Sequence, residues 1–98
     1  MSFNFLNLSL LNQNDWKILK DLFFYEPDCA KFISRRLNLD LKETMERLKI
    51  LENLKLIKRI EATFIKKGKK LKHRNHTYYE IDKEFKKWLK RELFKEGE

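Results

Sequence analysis

Residues that break, bend or crosslink a chain are scarce here: the 98 residues include two glycines, one proline and one cysteine. The single cysteine, Cys29, excludes an internal disulfide and fits the reducing conditions of the cytoplasm. No apolar run approaches the roughly 18 residues that suggest a membrane span, and the first five residues lack the basic segment of a signal peptide. We therefore expect a cytoplasmic protein without a membrane partner.

The patterns that mark an enzyme are also missing. The sequence has no glycine-rich phosphate loop, no serine in a nucleophile elbow and no pair of carboxylates on a recognisable scaffold. Cys29 could ligate a metal together with His73 and His76, but the two histidines lie among lysines that would repel a cation. The sequence therefore predicts a protein that is not an enzyme and that holds no metal or cofactor.

Apolar side chains and positive charge are abundant. The hydrophobic fraction is 42%, with eight Phe and two Trp, which is enough to form the core of a single domain over residues 1–98. The formal net charge is +8, which favours a polyanionic partner, with nucleic acid before an anionic membrane surface. Residues 66–76 hold six Lys and Arg and no acid, so this segment supplies most of the excess charge.

The first part of the chain predicts an apolar arm followed by two helices. The arm, residues 1–11, packs either on its own domain or on a second subunit. The first helix follows a cap at Asn12 or Asn14, and its apolar face comprises Trp16, Leu19, Leu22 and Phe23. A second helix covers residues 29–37, with Asp28 as its cap.

A third helix, residues 41–54, is the clearest in the sequence. Asp40 and Glu43 have the spacing of a capping box. The turn before this helix places Asn38 where a left-handed backbone is needed, and asparagine tolerates that conformation well. Four apolar residues share one predicted buried face, because their spacings of four, three and three residues follow the helical period: Leu41, Met45, Leu48 and Leu51.

The remaining pattern is strand, basic segment, strand and helix. Alternating polarity predicts a strand over residues 56–65, and residues 77–81 are expected to form a return strand. Between them lies the basic segment 66–76. A last helix, residues 82–95, is capped by Asp82.

The passage from the third helix into the first strand resembles that of winged helix-turn-helix regulators. Residues 48–59 read L-K-I-L-E-N-L-K-L-I-K-R, where such regulators have roughly L-x-x-L-E-x-x-G-L-I-x-R. Lys55 replaces the usual glycine, so it must take up a left-handed backbone or end the helix differently. Residues 77–81, T-Y-Y-E-I, resemble the strand that closes the wing in the same regulators.

The resemblance covers residues 12–95 and implies an α+β fold, with a three-helix core, a two-stranded wing and a C-terminal helix. It also implies a transcriptional regulator of the small MarR-like or ArsR-like kind common in archaea, which binds double-stranded DNA as a homodimer. Helix 41–54 would then enter the major groove and the wing, 66–76, would contact phosphates. Any small-molecule effector stays unknown.

Two sets of site residues follow from this interpretation. The expected DNA contacts are the polar and basic side chains of the second helix, the third helix and the wing: Arg35, Arg36, Lys42, Thr44, Arg47, Lys49, Lys66, Lys67, Lys69, Lys70, Lys72 and Arg74. The expected dimer contact is the apolar stripe of the last helix: Phe85, Trp88, Leu89 and Leu93. In the competing arrangement, this stripe folds back onto its own domain.

Two other partners remain open. The acidic residues Glu43 and Glu46 on the third helix favour a winged helix that binds protein inside a transcription or replication assembly. Structured RNA, bound by shape and charge, is a third possibility.

Overall fold

The structure is a computed structural model and describes residues 5–60 and 77–95. Its elements, in chain order, are a 3-10 helix Phe5–Leu10, α1 Gln13–Tyr25, β1 Asp28–Cys29, α2 Ala30–Leu37, α3 Leu41–Asn53, β2 Ile57–Ile60, β3 Tyr78–Ile81 and α4 Lys83–Phe94. The predicted α+β class is therefore confirmed.

The sheet has three antiparallel strands in the order β1-β3-β2. Strand β2 pairs with β3 from Ile57 opposite Ile81 to Ile60 opposite Tyr78, as expected for the base of a wing. Strand β1 was not predicted, because two residues, Asp28 and Cys29, carry no periodic signal. The Asp28 carboxylate accepts from the Cys29 amide at 2.8 Å, but Cys29 is the residue that precedes α2. The prediction that Asp28 caps the second helix is therefore wrong.

The core lies between α1, α3, α4 and the sheet. The fully buried side chains of α1 are Ile18, Leu19 and Leu22, and Trp16 and Phe23 pack beside them, which confirms the predicted apolar face. These residues meet aliphatic side chains of α3, of the turn after it and of the strands: Leu48, Leu51, Leu56, Ile57 and Ile81.

The buried face of α3 differs from the predicted one. Leu48 and Leu51 are fully buried, but Leu41 and Met45 are 45% and 47% exposed. Thr44 takes their place in the interior, with no exposed surface. This is possible because its hydroxyl donates to the Asp40 carbonyl oxygen at 2.8 Å, so burial leaves no polar atom without a partner. Thr44 has the same helical spacing to Leu48 as Leu41 has to Met45, so periodicity alone cannot separate the two faces.

The predicted caps and turn are largely confirmed. Asn12 begins α1 with a reciprocal capping box, Asp40 accepts from the Glu43 amide at 3.0 Å and Asp82 caps α4. Asn38 has φ 56° and ψ 46°, in the left-handed region. The Glu43 carboxylate does not close the expected box but accepts from the Asn14 side chain at 3.1 Å.

The end of α3 shows how the chain manages without the glycine of the resembling regulators. Lys55 has φ 67°, which is a left-handed backbone at a non-glycine residue and costs about 1 kcal/mol. The amide of Leu56 then donates to the Leu51 carbonyl oxygen at 3.1 Å. The Lys55 turn therefore leads the chain from α3 directly into β2.

The 3-10 helix of the N-terminal arm lies on its own domain. Leu8 and Leu11 pack against the core, and the Asn7 side-chain amide donates to the Leu54 carbonyl oxygen at 3.5 Å. Leu6 and Leu10 point outward, 77% and 65% exposed.

Helix α4 packs on its own subunit through the stripe expected at a dimer contact. Phe85 is fully buried and Leu89 is 3% exposed, so the prediction that these two residues form a dimer contact is wrong. Trp88 stacks on Phe85, with ring centroids 5.6 Å apart, and lies 6.3 Å from the Trp16 ring. Leu93 is half-buried against the same core. The competing arrangement explains the stripe, because the three-helix core leaves an apolar side of α1 that α4 covers.

An ion pair joins α3 to the start of α1. Asp15 is fully buried, and its carboxylate accepts from Nε of Arg47 at 2.7 Å and also from Nη2. The same carboxylate accepts from the Asn12 amide at 2.9 Å. The hydrogen bond to Asp15 raises the pKa of the Arg47 guanidinium, against the lowering effect of burial. Arg47 therefore fixes α3 against α1.

A second network joins α1, β1 and α2. The Arg36 guanidinium donates to the Asp21 carboxylate at 2.7 Å and to the Asp28 carboxylate at 2.6 Å. It also lies over the Tyr25 ring, 4.4 Å from the centroid. Both aspartates are buried, so this arginine compensates two carboxylates inside the domain.

We predict that Arg47→Ala lowers the free energy of unfolding by about 3–5 kcal/mol, because it leaves the Asp15 carboxylate buried without its cation. Urea titration followed by circular dichroism measures the loss. Arg59→Ala is the matched control, since Arg59 donates to Glu52 at 3.0 Å from a side chain 59% exposed; removal of this surface pair should cost less than about 1 kcal/mol. Equal losses in the two variants would show that the Asp15 pair does not fix α3.

Candidate nucleic-acid interface

The outward face of α3 carries four polar side chains in a row. They are exposed and recur at spacings of four, three and four residues, opposite the buried face: Lys42, Glu46, Lys49 and Asn53. Two lysines, one glutamate and one asparagine give this row a formal charge of +1. Such a row can donate hydrogen bonds and can accept them at Glu46 and Asn53.

An apolar flank borders this row on the side of the sheet. Leu41 and Met45, each about half exposed, line a cleft of ≈ 300 Å³ between α3, the start of α2 and the strands. Burial raises the pKa of the Tyr79 phenol, which also lines the cleft. The floor of the cleft is therefore apolar, with a neutral tyrosine at physiological pH.

Positive side chains lie around the same cleft. Lys31 of α2, Lys49 of α3 and Arg59 of β2 contribute to its lining, and no acid does so among the described residues. Arg59 also pairs with Glu52, at 3.0 Å. The cleft thus combines an apolar floor with a cationic rim.

The structure separates the expected DNA contacts of α2 and α3 into two groups. Arg35, Lys42 and Lys49 are exposed and can reach a partner. Arg36 is held by Asp21 and Asp28, Arg47 by Asp15, and Thr44 is buried. Thr44 therefore has no exposed surface for a contact with DNA, and the Nε and Nη2 donors of Arg36 and Arg47 are used inside the domain, while the Arg36 side chain is still 31% exposed.

The expected contacts of the wing, Lys66, Lys67, Lys69, Lys70, Lys72 and Arg74, lie outside the described residues. Two cations of the cleft, Lys31 and Arg59, were not among the expected contacts. Arg59 could have been found, because it stands at the arginine position of the L-I-x-R pattern. Lys31 gave no signal, since its proximity to α3 depends on the packing of α2.

Within residues 5–60 and 77–95, His, Cys, Asp and Glu side chains form no group of three that could hold a metal ion. None of the helices in the described part of the chain combines the length and the apolar character required to cross a membrane.

Solved structures with the same fold identify its type. AbfR, in a structure of its disulfide form, superimposes with a TM-score of 0.67 at 16% identity, over 90% of this chain and 55% of the AbfR chain. Staphylococcus aureus MarR, in complex with salicylate and kanamycin, gives a TM-score of 0.63 at 16% identity, over 94% of this chain and 59% of the other. This chain thus spans little more than half of either protein. The likeness confirms the predicted winged-helix fold.

Sequence comparison gives the family. None of the curated proteins matches the sequence. A family profile matches residues 8–92. This range includes all of α1 to β3, the second half of the 3-10 helix and all but the last two residues of α4. The chain belongs to the family described as an uncharacterized protein conserved in archaea, DUF2250.

Proposed function

We propose that this protein is a DNA-binding transcriptional regulator that places α3 in the major groove and the lysine-rich segment 66–76 on phosphates. The observation that carries the proposal is the cationic side of α3, where Lys42 and Lys49 are exposed beside the rim formed by Lys31 and Arg59. This side has the charge that a duplex attracts.

The shape of α3 suits a groove. Its 13 residues make a rod about 20 Å long and about 10–12 Å across, and the major groove of B-DNA is about 12 Å wide. The Asp15–Arg47 ion pair holds this rod in one orientation, which reduces the ordering cost of association.

The basic segment 66–76 supports the phosphate contacts. In the sequence it lies between β2 and β3, whose ends Ile60 and Tyr78 are directly paired. The chain therefore leaves β2 and enters β3 at one place on the domain. Phosphate contacts from its six cations would add affinity that does not depend on the DNA sequence to the base contacts of α3.

Electrostatic attraction should dominate over hydrogen-bonded base readout. Of the four side chains expected to read bases, Thr44 and Arg47 are used inside the domain, which leaves Lys42 and Lys49. Lysine is a flexible point charge and lacks the planar fork with which arginine recognises guanine. We therefore expect strong salt dependence and modest hydrogen-bonded discrimination.

We predict that replacing the six cations of segment 66–76 with glutamine weakens binding to all DNA sequences alike. If about four of them pair with phosphates, the slope of log K against log salt becomes shallower by about 3 to 4. Fluorescence anisotropy at several salt concentrations measures this slope. Lys87→Gln with Lys90→Gln on α4 is the control, since these exposed lysines belong to the helix that covers α1. An unchanged slope in the six-fold variant would contradict the proposal.

A winged helix used for protein contact is the second candidate, and one observation favours it. Helix α3 exposes three apolar side chains, Leu41, Met45 and Ile50, beside the acidic Glu43 and Glu46. Glu46 can distinguish the two partners, because DNA bound to α3 would place phosphates near its carboxylate and repel it, whereas a protein would not.

We predict that Glu46→Gln strengthens nonspecific DNA binding by about twofold to fivefold at low salt, because it removes repulsion between a carboxylate and the phosphates. Anisotropy with random-sequence duplexes measures the gain. Glu92→Gln, at an exposed carboxylate of α4, controls for the change in net charge. If α3 faces a protein instead, the two variants will bind DNA equally well.

A homodimer is part of the proposal, because a two-fold operator requires two copies of α3. With Phe85 and Leu89 inside the subunit, the exposed aromatic side chains that remain include Phe24 and Phe94, 55% and 52% exposed. The centroid of the Phe23 ring lies 5.1 Å from that of Phe24 and 6.1 Å from that of Phe94. The three rings therefore form one patch at the ends of α1 and α4.

We predict that Phe24→Ser with Phe94→Ser converts a dimer into a monomer at micromolar concentration, with little change in melting temperature, because both rings are half exposed. Analytical ultracentrifugation measures the mass. Leu6→Ser, at a 77% exposed residue of the N-terminal arm, should leave the dimer intact. If the wild-type protein is itself a monomer at this concentration, the proposed homodimer and its two-fold operator are wrong.

A further inference from the structure

Two exposed apolar side chains on α3 remain unexplained by phosphate attraction. Leu41 and Met45 are about half exposed, although the core beneath them is already closed by Leu48 and Leu51. We propose that Leu41 and Met45 read the 5-methyl groups of thymine in the major groove. This inference rests on the proposed function, because it assigns a specificity to the same face of α3.

The two side chains have the spacing that such reading requires. They are four residues apart, so they lie one above the other on successive turns, about 6 Å along the helix axis. Successive bases of one strand are about 3.4 Å apart. Leu41 and Met45 can therefore meet methyl groups on bases one or two positions apart.

The chemistry around them also fits the edge of a duplex. The thymine methyl is the apolar group that the base pairs present in the major groove, beside hydrogen-bonding atoms. Leu41 and Met45 offer an apolar surface, while Lys31, Lys49 and Arg59 surround the same cleft. The apolar floor would contact the methyl groups, and the cationic rim would contact the phosphates.

Burial elsewhere makes these contacts important. Arg47 is paired with Asp15 and Thr44 is buried, so α3 has lost two of its expected hydrogen-bonding readers. Glu46 can still accept from the cytosine amino group, and Lys42 can donate to guanine. Apolar contacts then separate thymine from the other bases, a distinction that neither of these polar side chains makes.

The test compares one duplex in two chemical forms. A fragment selected by the protein from genomic DNA is synthesised with thymine and, separately, with uracil at every thymine. Uracil keeps the hydrogen-bonding atoms and lacks only the methyl group. Affinities of the wild-type protein, Met45→Ala and Leu41→Ala are measured for both duplexes at two salt concentrations, with melting temperature as the check on folding.

Removal of apolar contact with one methyl group should weaken binding about fourfold, and with two methyl groups about 15-fold. We expect the wild-type protein to prefer the thymine duplex by such a factor, with an unchanged salt slope. Met45→Ala should lose most of this preference. Ile50→Ala is the matched control, because Ile50 is 38% exposed on the same helix but lies about 140° around the axis from Met45; it should retain the preference.

The outcomes are distinguishable. Equal wild-type affinity for the two duplexes overturns the methyl inference and leaves the proposed function standing. A preference that Met45→Ala and Leu41→Ala both retain also overturns it, since the methyl groups would then be sensed elsewhere or through duplex shape. If no genomic fragment is selected, the proposed function itself fails, and the inference fails with it.

Discussion

The contact between Asp15 and Arg47 determines how α3 is oriented against α1 in the helix-turn-helix region. A carboxylate with no exposed surface is tolerated only when it is paired and hydrogen-bonded. Asp15 meets this condition through Arg47 and the Asn12 amide, and in doing so it closes the cap of α1. The orientation of α3 and the start of α1 thus depend on one side chain. The same contact occupies the Arg47 guanidinium and leaves its side chain 21% exposed.

Arg36 also pairs with buried carboxylates. Asp21 and Asp28 are both buried, and both accept from its guanidinium. Three aspartates therefore hold two arginines within the α1–α2–α3 region. The exposed cations that remain there are mostly lysines, which carry charge without fixed hydrogen-bond geometry. The Arg47 pair positions α3, the Arg36 pairs join α1, β1 and α2, and exposed lysines contribute to the outward face of α3.

Sequence reasoning succeeded where the determinant is local. Asn12, Asp40 and Asp82 cap helices through contacts within three residues, and Asn38 meets a backbone demand of its own turn. Each of these features is determined by a few adjacent residues, so it can be predicted without knowledge of the tertiary structure. The helix-to-strand passage, residues 48–59, is local in the same sense, and it led correctly to the winged-helix fold.

The site was harder to predict because its composition depends on distant residues. Asp15 and Arg47 are 32 positions apart, and nothing in either neighbourhood shows that they meet. The burial of Thr44 in preference to Leu41 likewise depends on which side of α3 the core lies, since both sides have helical spacing. For the same reason the stripe of α4 was assigned to a partner subunit when α1 was the surface that it covers.

These errors share a physical origin and have a functional consequence. Thr44 was expected at the surface but is buried, whereas Leu41 and Met45 were expected inside but are exposed. Thr44 in the core leaves Leu41 and Met45 outside, beside Lys49 and Arg59. Under the proposed function, an α3 face of lysines and aliphatic side chains would attract any duplex by charge and would separate sequences mainly through apolar contact with the bases and through duplex shape. The specificity of this domain would then depend on the burial pattern of α3 as well as on its charges.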